Sequence, residues 1–176
     1  MKLTRLLTKV ANNAAERADC AAGQPLTAPE SLPAVPEGNR VGDEAVCGLA
    51  DLKFPGRPEN RSKTMQTVQD GTGPTWACEV AEHATYAVTQ DPHIVAGIRS
   101  SPGYTQQPQV AGHQILGFDN RHVVADCAGT PTYFSLEFGQ AYWSAVETPG
   151  APRTKDLFTN FVDTAGKHFG CATAAS

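Results

Sequence analysis

The stretch that decides the fold runs from Thr75 to Gln90. It reads Thr75-Trp76-Ala77-Cys78-Glu79-Val80-Ala81, then Glu82-His83-Ala84, then Thr85-Tyr86-Ala87-Val88-Thr89-Gln90. Two β-rich runs flank a short turn. Trp76, Cys78 and Val80 share one face of the first run by period-two alternation, and Tyr86 and Val88 share one face of the second. Upstream, Lys63–Val68 can form a first strand, separated from Thr75 by the turn signal Asp70-Gly71. Downstream, Gly112–Phe118 and His122–Cys127 read as strands around Asp119-Asn120-Arg121, and residues 132–138 as another. Ser101–Val110, rich in Gln, Pro and Gly, reads as a loop.

Two helices complete the pattern. Asp91 is suited to an N-cap and Pro92 to the first helical position, with Ile94, Val95 and Ile98 on one side of a short helix ending near Ser100. Residues 153–170 carry one apolar stripe, Leu157, Phe158, Phe161, Val162, Ala165 and Phe169, and stop at Gly170. The expected class is α+β: an antiparallel sheet of about five strands with a long C-terminal helix and an N-terminal helix, disulfide-bonded, the helices packed on one face.

The N-terminal part differs in kind. Residues 2–20 read as an amphipathic helix, with Leu3, Leu6, Leu7, Val10, Ala11, Ala14 and Ala18 at three- and four-residue steps. Residues 21–42 carry Pro25, Pro29, Pro33 and Pro36 without a sustained apolar period, as in an extended linker or strap. Residues 43–176 form a single α+β domain. The first helix echoes the last at an offset of 151 residues: Leu6 meets Leu157, Thr8 meets Thr159, Ala14 meets Ala165 and Cys20 meets Cys171. Either two Ala-rich amphipathic helices coincide by chance, or residues 1–20 are the end of a preceding repeat.

The composition excludes several classes. The chain has 176 residues, 40% apolar and 18% charged, with a formal net charge of −4. That is enough chain to bury a core without cross-links. No stretch approaches the length of a membrane span, and the mild acidity argues against a nucleic-acid-binding face. The 16 glycines and 13 prolines, with few large aliphatics, point to many turns, short strands and a modest core.

The five cysteines are Cys20, Cys47, Cys78, Cys127 and Cys171. None forms a Cys-x-x-Cys pair and no histidine has zinc-finger spacing, so disulfides in an oxidising compartment are the preferred use. Met1–Lys9 has no continuous apolar core and Cys20 follows charged residues, so neither a signal peptide nor a lipobox is present. An exported protein would carry its targeting segment upstream, and the odd cysteine fits a chain cut from something larger.

Val46-Cys47-Gly48, Trp76-Ala77-Cys78-Glu79-Val80, Val123-Val124-Ala125-Asp126-Cys127 and the helix ending Gly170-Cys171 carry a loose family likeness over residues 43–171. In these the chain resembles actinobacterial exported or membrane-anchored proteins of unknown function, including tandem-domain ectodomains and lipoproteins. The resemblance implies an extracytoplasmic α+β domain and no particular activity.

Cys78 with Cys127, and Cys47 with Cys171, are the expected bridges, the second clasping the two ends of the domain and leaving Cys20 unpaired. The competing pairing joins Cys20 to Cys47 and leaves Cys171 free. Catalytic residues are not assigned. His122 and Cys127 fall on opposite sides of one strand, and no nucleophile elbow or phosphate loop occurs. A metal could be drawn among His113, Asp119, His122 and Asp126, although polar turn residues explain the same letters. Tyr142 and Trp143, with Tyr104, are candidates for a binding patch, against the reading that such aromatics cap the core.

The preferred function is a non-enzymatic extracytoplasmic ectodomain that binds or scaffolds at the cell envelope. Its partner would be a protein or envelope component, with no nucleic acid, no membrane span in this chain and no cofactor. The alternatives are an envelope hydrolase with unrecognised catalytic groups, such as carboxylates or histidines around Asp119–Asp126, and a cytosolic partner-binding protein with a natural Met1.

Overall fold

The computed structural model describes residues 2–18, 25–29, 36–70, 74–110, 113–119 and 121–171. The chain divides into two units, Met1–Val35 and Pro36–Ser176. The first unit holds helix α1 (Lys2–Arg17). In chain order the second holds β1 (Asn39–Arg40), a 3₁₀ helix (Pro58–Lys63), β2 (Met65–Asp70), β3 (Thr75–Val80), β4 (Ala84–Thr89), α2 (Pro92–Arg99), β5 (Thr105–Val110), β6 (His113–Asp119), β7 (His122–Cys127), β8 (Thr130–Phe138), α3 (Gln140–Val146) and α4 (Thr154–His168).

The strands form one antiparallel sheet in the order β1-β2-β3-β4-β8-β7-β6-β5. The register joins the apolar positions into rows. Trp76 lies opposite Val88, Val88 opposite Phe134, and Phe134 opposite Val123. In the next row Cys78, Tyr86 and Leu136 are successive partners. These residues are buried, whereas Thr75, Glu79, Thr85 and Glu137 on the opposite face are exposed. The α+β class and the antiparallel sheet thus stand as read from alternation.

Helices α3 and α4 cover the apolar face. Leu157, Phe158, Phe161, Val162 and Ala165 of α4 join the core with Tyr142 of α3. Phe161 is its hub: its ring lies 5.0 Å from Tyr86, 5.9 Å from Phe134, 6.5 Å from Trp76 and 6.3 Å from Phe158. Such tilted and edge-on aromatic contacts add to the burial itself. Helix α2 stands apart, because Val95 is buried outside this core.

Three local expectations change. Among the described residues the sheet has eight strands, more than the five or so expected, partly because Thr105–Val110 is a strand and not a loop. It lies at the sheet edge, where Pro108 does not interrupt a ladder on both sides, and the register shifts between Gln107 and Val110. Residues 140–146 form α3, a short helix in a stretch to which the sequence pattern assigns no element. The second unit also begins before Asp43: Asn39 and Arg40 pair with β2, and Val41 is buried in the core.

The disulfides join Cys47 to Cys78 and Cys127 to Cys171. The four cysteines expected in bridges are used, but the partners are exchanged. Strand order gives the reason. Two strands, β4 and β8, separate β3 from β7, about 14 Å across the sheet, and the register puts Cys127 at the far end of β7 from the row of Cys78, so the two lie well beyond bridging distance. Cys78 instead meets Cys47, whose left-handed backbone (φ 58°) is held by its N–H donating to the buried Gln66 side chain at 2.7 Å. Cys171 is brought to Cys127 by the end of α4. Gly170 adopts φ 74°, its N–H donates to the Lys167 carbonyl, and the Cys171 N–H donates to the Gly166 carbonyl. This Schellman cap turns the chain back against the helix. Cys20 lies outside the described residues.

One polar atom sits poorly in this core. The Tyr86 hydroxyl is buried with no hydrogen-bond partner. Burial pushes its ionisation above the usual phenol range, and Tyr142 adds to the shift. Two substitutions separate packing from polarity. Phe161→Ala should cost about 3–5 kcal/mol by denaturant unfolding, because it empties the hub. Tyr86→Phe should leave stability unchanged or raise it by about 1 kcal/mol, because it removes an unsatisfied hydroxyl while keeping the ring.

Candidate functional site

An apolar concavity lies along α2, and its construction starts at Asp91. The Asp91 carboxylate accepts from the His93 N–H at 2.8 Å and the Ile94 N–H at 3.3 Å, with Pro92 in the first turn, as the sequence predicts. The helix then presents Pro92, Val95, Ala96 and Arg99 at steps of three and four residues, one face of a helix. This face looks onto the β7–β8 hairpin. Gln90, Thr130, Pro131 and Ser100 complete the lining of a groove of about 730 Å³.

The hairpin wall is fixed independently. Ala128 and Gly129 take φ values of 52° and 85°, as a two-residue turn of this hand requires. The Asp126 carboxylate accepts the Gly129 N–H at 2.7 Å. Gln90 donates its amide to the Thr132 hydroxyl at 3.1 Å, tying the base of the groove to β8. Thr130 pairs with Cys127, so one end of the wall adjoins the Cys127–Cys171 bridge.

The groove has an apolar floor and one charge at its rim. Val95, Ala96, Pro92 and Pro131 offer no strong polar partner, while Gln90 and Ser100 offer hydrogen bonds. Among the described residues no carboxylate pairs with the Arg99 guanidinium. An apolar cleft with a few polar groups is the usual form of a small-ligand site. A second, smaller pocket of about 410 Å³ lies between the 3₁₀ helix and α3, lined by Arg57, Asn60, Lys63, His83 and Ser144 among others. Its polar side chains are partly engaged: Arg57 donates to the Thr148 hydroxyl and pairs with Glu59 at 3.7 Å, and His83 Nδ1 lies 2.7 Å from the Ala81 carbonyl.

The residues singled out from sequence fall elsewhere. Tyr142 is a core residue, its hydroxyl bonded to the Pro152 carbonyl and to Thr154, and its ring stacked on Phe138 at 4.1 Å. Trp143 is the neighbour left at the surface, 46% exposed. The Tyr104 hydroxyl is buried. The three therefore do not make a continuous surface patch.

The metal candidates separate into two pairs. Asp119 lies opposite His122 at one end of the β6–β7 pair, while His113 and Asp126 lie toward the other. Four residues of extended strand put about 13 Å between His122 and Asp126, too far to share an ion. His122 Nε2 contacts the Glu137 carboxylate at 2.6 Å and its ring stacks on Tyr133, while Asp126 serves the turn. No cluster of metal-ligating side chains occurs among the described residues.

Sequence reasoning missed Gln90, Arg99 and Pro131. The expected apolar side of α2 was Ile94, Val95 and Ile98, but only Val95 is buried, and Ile94 is 46% exposed. The available signal was the Pro92, Val95, Ala96, Arg99 stripe, in which a cation ends an otherwise apolar row.

Comparison with protein-family models, with curated proteins and with solved structures found no match. The groove is therefore read from its own chemistry. Asp91→Ala should lower stability by about 1 kcal/mol and speed amide exchange at His93 and Ile94, since two donors of the first turn lose their acceptor. Equal exchange in variant and parent would contradict the capping role.

Proposed function

We propose that residues 36–171 form an extracytoplasmic binding module of the cell envelope, non-enzymatic in action. The observation that carries this reading is the pair of disulfides, each made of buried cysteines and together fastening both flanks of the sheet. Such bonds persist in oxidising compartments and are rare in the cytosol. The loops they close span 31 and 44 residues. In the chain-entropy model each then contributes about 3.5–4 kcal/mol, although measured values are often smaller. No helix among the described residues is long and apolar enough to cross a membrane. Attachment to the envelope rests on the resemblance to exported and membrane-anchored proteins.

The groove along α2 supports the binding role. Its apolar floor suits an aliphatic chain or side chain, and the Arg99 guanidinium suits an acidic head at the rim. The ligand class is then a small amphipathic anion, or the equivalent group of a larger envelope component. The link between Thr130 and Cys127 makes the bridge a support for the groove wall.

Two measurements test these points. Non-reducing peptide mapping of protein from its native source should return Cys47–Cys78 and Cys127–Cys171; recovery of these four cysteines as free thiols would sink the extracytoplasmic reading. Titration with decanoate, followed by amide shifts, should move Val95, Ala96 and Arg99, with Arg99→Gln weakening binding about tenfold. Decanol should bind parent and variant alike. Absence of any shift at millimolar decanoate would remove the groove from the proposal.

A further inference from the structure

Helix α1 presents an apolar stripe that nothing among the described residues of its own unit covers. Leu3 is 66% exposed, Leu6 and Leu7 58% each, and Val10 57%. Ala11 and Ala14 are exposed as well, and the helix buries no residue. The side chain of Asn12 is used by the following segment: its amide donates to the Leu26 carbonyl and its oxygen accepts the Leu26 N–H at 2.8 Å. At 100° per residue Asn12 stands about half a turn from the stripe. Leu26 is thus held on the polar side of α1, away from the apolar one.

The structure of α4 shows what such a stripe does. Shifted by 151 residues, Leu6, Leu7, Val10, Ala11 and Ala14 fall on Leu157, Phe158, Phe161, Val162 and Ala165. All five residues of α4 are core residues against the sheet. The secondary structure agrees with the alignment. Helix α1 ends at Arg17 and α4 ends at His168, which is the same position after the shift. Three residues further on, each sequence has a cysteine, Cys20 and Cys171. The matching helix end is independent of the residue identities that suggested the echo.

We infer that the Leu6–Ala14 face of α1 is the docking face of a C-terminal helix belonging to a second domain of this same fold, placed N-terminal to residues 36–171 in a longer polypeptide. Its partner is the apolar face of an antiparallel sheet, presented as Trp76, Tyr86 and Phe134 are presented to α4. The smaller residues of α1 (Leu for Phe158, Val for Phe161, Ala for Val162) require larger side chains on that sheet, because cores fill to constant density. The proline-rich segment then links two sheet domains in tandem.

The test compares the polypeptide isolated from its native source with the 176-residue chain. Intact mass and peptide mapping should show an N-terminal extension, and hydrogen exchange should slow Leu6–Ala14 at least about tenfold relative to the 176-residue chain, into the range of Leu157–Ala165. Leu7→Asp in the native polypeptide should abolish one unfolding transition and leave that of residues 36–171 in place, while the same change is silent in the 176-residue chain. A native polypeptide that begins at Met1 would overturn the inference. So would an extended one in which Leu6–Ala14 exchange as fast as in the 176-residue chain. Dimerisation of the 176-residue chain that Leu7→Asp abolishes, together with a native start at Met1, would assign the stripe to a second copy instead.

Discussion

The packing of Phe161 onto the apolar face of the sheet is the contact on which the second unit depends. One ring touches residues of β3, β4 and β8, so it fixes the position of α4 over the strands that carry most of the core. The ends of that arrangement are then closed by chemistry of a different kind. Gly170 reverses the chain in a left-handed turn, and Cys171 bonds to the last residue of β7. Apolar burial decides where the helix lies, and the cap and the bridge keep its end there.

The groove along α2 borrows its rigidity from the same framework. Its hairpin wall begins beside Cys127, and its base is tied to β8 through Gln90 and Thr132. Helix α2 meets this framework through the buried Val95, and its own first turn is closed by the Asp91 cap. The polar face of the sheet contributes less, since His122 and Glu137 satisfy each other there.

Much of the core was legible because alternation and helical period report burial directly. Trp76, Cys78, Val80, Tyr86 and Val88 are on the buried face that their spacing indicates, and so are Leu157, Phe158, Phe161, Val162 and Ala165. Where polar or breaking residues dominate, the signal fails. Thr105–Val110 reads as a loop because Gln and Pro obscure an edge strand, and Tyr142 is open to both a patch and a core reading because α3 has only two turns on which to show a period. The groove was barely legible. Its lining comes from α2 and from a hairpin some thirty residues later, and only one helix stripe ending in Arg99 hinted at it.

The sequence by itself determined the alternation of buried and exposed residues, the helix caps at Asp91 and Gly170, and which cysteines sit where a bridge can form. These are local properties, set by side-chain chemistry and backbone geometry within a few residues. Tertiary structure alone decided that β8 lies between β4 and β7. That single choice of neighbour carries Cys78 away from Cys127, gives each a different partner, and brings Pro131 to face Val95 across the groove. Strand order is a matter of which distant segments meet, and no local pattern encodes it.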